Sequence, residues 1–236
     1  MASTVFHEEL CGFAWPFMGG LSKIRSNGVV SLCRKRTVIS GGISLVLVCA
    51  WGIGSVLGTE APMVVVKSTI DEVIRLVTDE QLKSPEQLSH RRQLLEEAIG
   101  KHFDFEEMAK RSLAAHWKGR KRADHEEFVN LFQSLLSKTY AGKIENYSGE
   151  TVNYLKERLK DGYAEVQTTI VSPKTEITLD YRLLVKDDNW QVYDVVVDGV
   201  SLVKNYRVQF DRIIRDSSYE ELVQTLREKS EEITAP

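Results

Sequence analysis

The chain has 236 residues, 42% of them hydrophobic and 28% charged, which is a globular composition rather than a disordered or collagenous one. Its 31 basic and 34 acidic residues give a net charge of −3, which excludes the basic footprint of a general nucleic-acid binder. The length allows one domain or two.

Residues 1–33 show no hydrophobic periodicity and read as an N-terminal tail. Arg34-Lys35-Arg36 then precede TVISGGISLVLVCAWGIGSVLGT, which carries no charge before Glu60. A basic cluster followed by an apolar run is the order of a signal peptide, and Val56 and Gly58 are small enough for a cut near Gly58. The uncharged run is longer than the roughly 7–15 residues of a usual signal-peptide apolar stretch and could also span a bilayer, which needs about 20 apolar residues. Residues 34–58 are therefore either a cleaved signal peptide or a retained transmembrane anchor. In both cases the basic cluster stays cytoplasmic and residues 59–236 are exported as one domain.

Cys11, Cys33 and Cys49 all precede Gly58. The exported part thus has no disulfide, no thiol nucleophile and no cysteine metal site. It must hold together by its core, and it is long enough to do so. Its 26 basic and 32 acidic residues make a mildly acidic body.

Pro62 marks a first helix start, after which Met63, Val66, Ile70, Val73 and Val77 recur at helical spacing. Ser84-Pro85-Glu86 signals a second start, ahead of Leu88, Leu95 and Ile99. Asp104 is a candidate cap for FEEMAKRSLAAHW. Asp124 is expected to begin the longest helix, striped by Phe128, Leu131, Phe132, Leu135, Thr139 and Tyr140.

From Thr151 the period becomes two. Val152 and Tyr154 belong to a first strand, and Ala164, Val166, Thr168 and Ile170 share one face of a second. Ile177, Leu179, Tyr181, Leu183 and Val185 share a face of a third. Asp187-Asp188-Asn189 reads as a hairpin turn into a last strand from Trp190. Helices over about Leu202–Arg215 and Tyr219–Lys229 close the chain. Helices, then strands joined by short turns, then helices indicate an α+β domain with an antiparallel sheet.

Within this pattern Tyr193–Val197 is apolar on both faces except at Asp194, and it runs almost directly into a helix. A strand buried in an ordinary core and a strand walling an apolar cavity both explain it.

The search for chemistry is mostly negative. His90, His102, His116 and His125 contain no pair at zinc-binding i, i+4 spacing, and HExxH is absent. Ser201 follows Asp198-Gly199-Val200 without the second glycine of a nucleophile elbow, and fits a helix N-cap better. No phosphate loop or dinucleotide fingerprint is present. Asp194 and Asp198 are candidate general bases if half-buried, but turn aspartates are commoner. Lys110, Arg111, Lys118, Arg120, Lys121 and Arg122 form a basic cluster suited to phosphate headgroups or an acidic partner, or simply to solvent.

FDFEEMAKRSLAAHW, FVNLFQSLLSKTYAGKIENYSGE and WQVYDVVVDGVSLVKNYRVQF, in that order, resemble the MlaC family of periplasmic phospholipid carriers (the toluene-tolerance family). The most specific piece is the Tyr193-Asp194 to Asp198-Gly199-Val200-Ser201 string, and the resemblance covers about Pro62 to Lys229. It implies an α+β fold in which N-terminal helices pack on a twisted antiparallel sheet with C-terminal helices, enclosing an apolar lipid cavity. It implies a monomer that uses no cofactor and is not an enzyme. It would pass phospholipid between an outer-membrane lipoprotein complex and an inner-membrane Mla ABC transporter complex, maintaining outer-membrane lipid asymmetry. Nucleic acid has no place in that picture.

On this resemblance the expected lipid-binding wall is Val166, Ile170, Tyr181, Val195 and Val197 from the sheet. Phe132, Leu135 and Tyr140 join it from the long helix, and Val203, Tyr206 and Phe210 from the closing helix. Asp194 is expected to anchor the Gly199 turn. Two other classes fit the bare pattern: a membrane-tethered interaction protein without ligand, and a small enzyme of the ketosteroid-isomerase type with a carboxylate in its pocket.

Overall fold

A computed structural model describes residues 60–232. The signal-or-anchor reading of residues 34–58 and the tail reading of 1–33 lie outside these residues. The described chain falls within one compact unit, Thr59–Pro236.

Helix α1 (Pro62–Thr78) starts on Pro62, whose missing N–H costs nothing in a first turn. Its first free N–H groups are partly satisfied from far away, for Met63 N donates to Glu157 Oε2 at 2.7 Å. Two short 3-10 turns, Glu80–Leu82 and Pro85–Gln87, lead to α2 (Leu88–Gly100). Ser84 stands before the second turn, but its hydroxyl makes no cap there. Helix α3 (Phe105–Leu113) is capped by Asp104, whose carboxylate accepts from Glu107 N at 3.0 Å. It stops before the His-Trp pair expected to continue it, because Ala114 takes a φ of +50°.

Helix α4 (Arg122–Glu145) begins two residues earlier than expected. Asp124 lies inside its first turn and reaches back to accept from Lys121 N at 3.1 Å. That is the reciprocal half of a capping box, which a search for N-caps mistakes for the cap itself.

The sheet is a meander of five antiparallel strands in the order β1–β5. These are β1 (Thr151–Lys160), β2 (Tyr163–Val171), β3 (Glu176–Lys186), β4 (Asn189–Val197) and the two-residue β5 (Val200–Ser201). Asp187 and Asp188 both have positive φ, as a tight two-residue hairpin requires. Asp198 at +47° and Gly199 at +81° repeat that turn between β4 and β5. Helices α5 (Leu202–Asp216) and α6 (Tyr219–Glu232) follow, and Ser201 caps α5 by accepting from Lys204 N at 3.0 Å. The expected α+β architecture is therefore the observed one.

Two bulges shape the sheet. One extra residue enters β1 at Leu155, and another enters β4 at Tyr193. Because side chains alternate, the second bulge is what lets Val192 and Val195 share a face although they are three apart. Beyond it, Val192 pairs with the segment before α3. Its N–H donates to His102 O at 2.7 Å and its carbonyl accepts from Asp104 N at 2.9 Å.

The main core lies among α3, α4, α5 and α6. Phe128, Phe132, Tyr206 and Phe210 interlock there, with ring centroids 5.3–6.1 Å apart and several edge-to-face pairs. A smaller cluster joins Leu76 and Val77 of α1 to Leu95 and Ala98 of α2, and Ile144 near the end of α4 packs on it.

Candidate functional site

The register defines an inner sheet face in rows. Val166 of β2 lies opposite Tyr181 of β3, which lies opposite Val195 of β4. Thr168, Leu179 and Val197 form the next row, and Ile170 and Ile177 the one after. On β1 the same face carries Tyr154, opposite Thr168, and Glu157, opposite Val166. All five sheet residues anticipated as lipid wall are thus brought onto one surface.

Burial along that surface is uneven, and the unevenness marks a candidate site. Val166, Thr168, Val195 and Val197 are buried. Ile170, Ile177, Leu179 and Tyr181 face the same way but keep accessible surface. Helix packing explains the difference. Helix α1 lies against β1 and β2, and α3 and α5 lie against β4. The extensive contacts of β3, in the middle, are with its two neighbouring strands. Tyr181 shows both sides of this arrangement. Burial pushes its hydroxyl above the usual tyrosine range, yet part of its side chain stays accessible.

The six anticipated helical residues occupy a different place. Phe132, Leu135, Val203, Tyr206 and Phe210 are buried members of the core among α3–α6, with Tyr140 packed at its margin. Tyr140 and Tyr206 share a hydrogen bond through their hydroxyls, and burial raises both pKa values. These six belong together, but what they surround first is one another. Ile177 and Leu179 sit in the same alternation as Tyr181 and join the expected wall residues on this face. Alternation gives the face; only the missing helix cover over β3 shows which part of it stays open.

Polar groups on the inner face are few. Glu157 is engaged at the start of α1. The Tyr154 hydroxyl is buried without a hydrogen-bond partner, and burial pushes its pKa up to about 12. Lys67 of α1 lies over its ring at 5.4 Å.

The candidate bases point elsewhere. Asp194 pairs with Arg182, on the face opposite Val195, and is only 3% exposed. Its carboxylate accepts from Arg182 Nη1 at 3.1 Å, Ser201 Oγ at 2.7 Å and Val203 N at 3.1 Å. Asp198 sits in the turn, and its carboxylate accepts from Thr178 N at 2.9 Å. Both carboxylates are therefore structural, and Asp194 anchors the start of α5 as well as the turn before it. Among the described residues no group of histidine, cysteine, aspartate and glutamate side chains is arranged to hold a metal. His116 pairs with Asp211 at 2.9 Å, and His125 stacks on Trp117.

These features define a helix-covered antiparallel sheet whose inner face is apolar and partly open over its central strand. The chain belongs to the MlaC family, whose model, described as "MlaC protein", matches residues 67–228. It is similar to the intermembrane phospholipid transport system binding protein MlaC of Haemophilus influenzae. That similarity is 19% identity over 176 residues, or 72% of this chain and 82% of the relative. Its fold matches a phospholipid-binding protein from Ralstonia solanacearum, solved in complex with a phospholipid, with a TM-score of 0.67 and 27% identity. That match covers 74% of this chain and 99% of the Ralstonia one, so a chain little longer than the matched part folds by itself.

Proposed function

We propose that this chain is a periplasmic phospholipid carrier that holds acyl chains against the inner face of its sheet. The observation that carries the reading is the open apolar stretch over β3, made of Ile170, Ile177, Leu179 and Tyr181. Apolar side chains that a core leaves uncovered cost free energy in water, and a bound hydrocarbon removes that cost. Each methylene taken from water contributes about 0.8 kcal/mol, so a diacyl lipid needs no deep polar contacts to bind. The inner face fits this, since its hydroxyls and its one carboxylate are sparse and the carboxylate is already engaged. Family membership and the phospholipid bound to the Ralstonia relative support the same ligand.

In this reading the protein exchanges lipid with an outer-membrane lipoprotein complex and an inner-membrane ABC transporter of the Mla type, and so maintains lipid asymmetry. It binds and releases without catalysis. The anticipated residues Phe132, Leu135, Tyr140, Val203, Tyr206 and Phe210 form the packed floor beneath the bound chains. Val166, Ile170, Tyr181, Val195 and Val197 form the sheet wall.

The test is native mass spectrometry of residues 59–236 purified without detergent, followed by solvent extraction. The expected result is a mass excess of one phospholipid that disappears on extraction. A clean unliganded mass, with no uptake from added liposomes, overturns the proposal.

A further inference from the structure

The exported body is acidic, with 26 basic and 32 acidic residues over 59–236, but its charge is segregated. On α5, Lys204, Arg207, Arg212 and Arg215 are all exposed and fall on one arc of the helix. Val203, Tyr206 and Phe210 occupy the opposite arc, inside the core. Two other basic segments are joined to this arc by direct contacts. Arg207 Nε donates to Arg111 O of α3 at 2.8 Å, which places Arg111 and Lys110 beside it. The His116–Asp211 pair ties in the segment that carries Lys118, Arg120, Lys121 and Arg122. These linked segments carry ten cations, eight of them exposed, while Arg111 and Arg120 lie half-buried over the Tyr193 and Tyr219 rings; five carboxylates pair with them, Glu107, Glu126, Asp211, Asp216 and Glu220. Lys118, Lys121, Lys204 and Arg207 have no carboxylate partner among the described residues.

We propose that this face is a docking surface for an anionic lipid bilayer. Charge complementarity selects the sign of the partner, and Val208 favours a membrane over an acidic protein. Val208 is 63% exposed in the middle of the basic arc, flanked by Lys204, Arg207 and Arg212. An apolar side chain ringed by long cationic ones suits insertion beneath headgroups, with lysine and arginine reaching the phosphates. The existing ion pairs are mostly exposed i, i+3 or i, i+4 pairs of little intrinsic worth, so lipid phosphates can replace them. A cluster of this size is in the range that binds anionic membranes.

The proposal goes beyond the carrier reading and does not depend on lipid occupancy. It is tested by flotation of residues 59–236, a part whose Ralstonia counterpart folds alone, with vesicles of phosphatidylcholine or of phosphatidylcholine mixed with phosphatidylglycerol. Binding is expected to the mixed vesicles only, and to weaken as salt is raised. The triple variant Lys118→Glu, Lys121→Glu, Lys204→Glu changes exposed side chains outside the lipid wall. It is expected to lower partitioning at least on the order of 100-fold, from about tenfold or less per cation removed. Val208→Asp, read separately, is expected to lower it as well. An unchanged thermal melt and an unchanged circular dichroism spectrum show that each variant is folded. Equal binding to neutral vesicles, or mixed-vesicle binding indifferent to the triple variant, overturns the proposal. Absence of binding to either vesicle also overturns it and reassigns the face to an acidic protein.

Discussion

Asp194 of β4 and Ser201 at the start of α5 are joined by a 2.7 Å hydrogen bond, and the same carboxylate accepts from Val203 N. A strand is thereby fastened to the helix that follows it across a tight turn. The carboxylate sits where the first N–H groups of α5 converge and its helix dipole is positive. Arg182 completes the set from β3. Asp194→Ala should cost about 2–4 kcal/mol in urea unfolding, because a buried hydroxyl and amide lose their acceptor. Asp194→Asn keeps one acceptor and should cost less. Arg182→Met should cost about 1–3 kcal/mol, because it leaves the buried Asp194 carboxylate without its cation, a penalty moderated by the 39% exposure of the arginine and by the hydrogen bonds that remain. An Asp194→Ala variant as stable as the parent would show that the fastening carries no weight.

The turn itself gives a second expectation. Gly199 has a φ of +81°, and nothing lies within 4 Å of where a Cβ would project. Gly199→Ala should therefore pay only the backbone cost of a left-handed residue, about 1–2 kcal/mol. The loss should appear as a lower urea midpoint with unchanged slope. A larger loss would mean that the turn is coupled to more than its own backbone. The coupling in view is to β3, where Asp198 N donates to Thr178 O at 2.9 Å while its carboxylate accepts from Thr178 N.

Local chemistry made much of this legible in the sequence. The caps at Asp104 and Ser201 and the sheet alternation each express a rule that acts within a few residues. Asp124 misled because a first-turn carboxylate and an N-cap look alike in sequence. The division between wall and core was out of reach for a different reason. Phe132 and Tyr181 both sit in apolar stripes, yet one is sealed by three other helices and the other lies on a strand whose extensive contacts are with its neighbouring strands. That difference is set by how elements converge, and periodicity carries no trace of it. The bulge at Tyr193 was hidden as well, since it reverses alternation inside a run that is apolar at nearly every position.

Alkaline pH should unfold the protein through its tyrosines. Burial raises the pKa values of Tyr140, Tyr181 and Tyr206, and that of Tyr154 to about 12. The unfolded tyrosines ionise near pH 10, so above it the unfolded state binds fewer protons than the folded one. Stability is then full below about pH 10 and falls as pH rises toward the folded values. Tyrosinate absorbance should lag behind that of free tyrosine and then rise together with loss of circular dichroism. Tyr154→Phe removes a hydroxyl that lacks a partner, so it should shift the alkaline transition upward without loss at neutral pH. A shift downward would show that the hydroxyl is satisfied.

Wall and core can be told apart by opposite substitutions. Phe132 is fully buried, with Tyr206 at 5.3 Å and Phe210 at 5.8 Å between ring centroids. Phe132→Ala should cost about 3–5 kcal/mol, whatever happens to lipid binding. Leu179→Trp adds bulk on the inner face where accessible surface remains over β3. In a packed core such overfilling costs about 1–3 kcal/mol. Against an open wall it should cost less than about 1 kcal/mol while displacing bound hydrocarbon. Native mass spectrometry of Leu179→Trp should then show less phospholipid than the parent at nearly unchanged urea stability, and Ile177→Trp should behave alike. If both variants lose stability as a core residue would and keep their lipid, the face over β3 is ordinary interior and the acyl chains lie elsewhere.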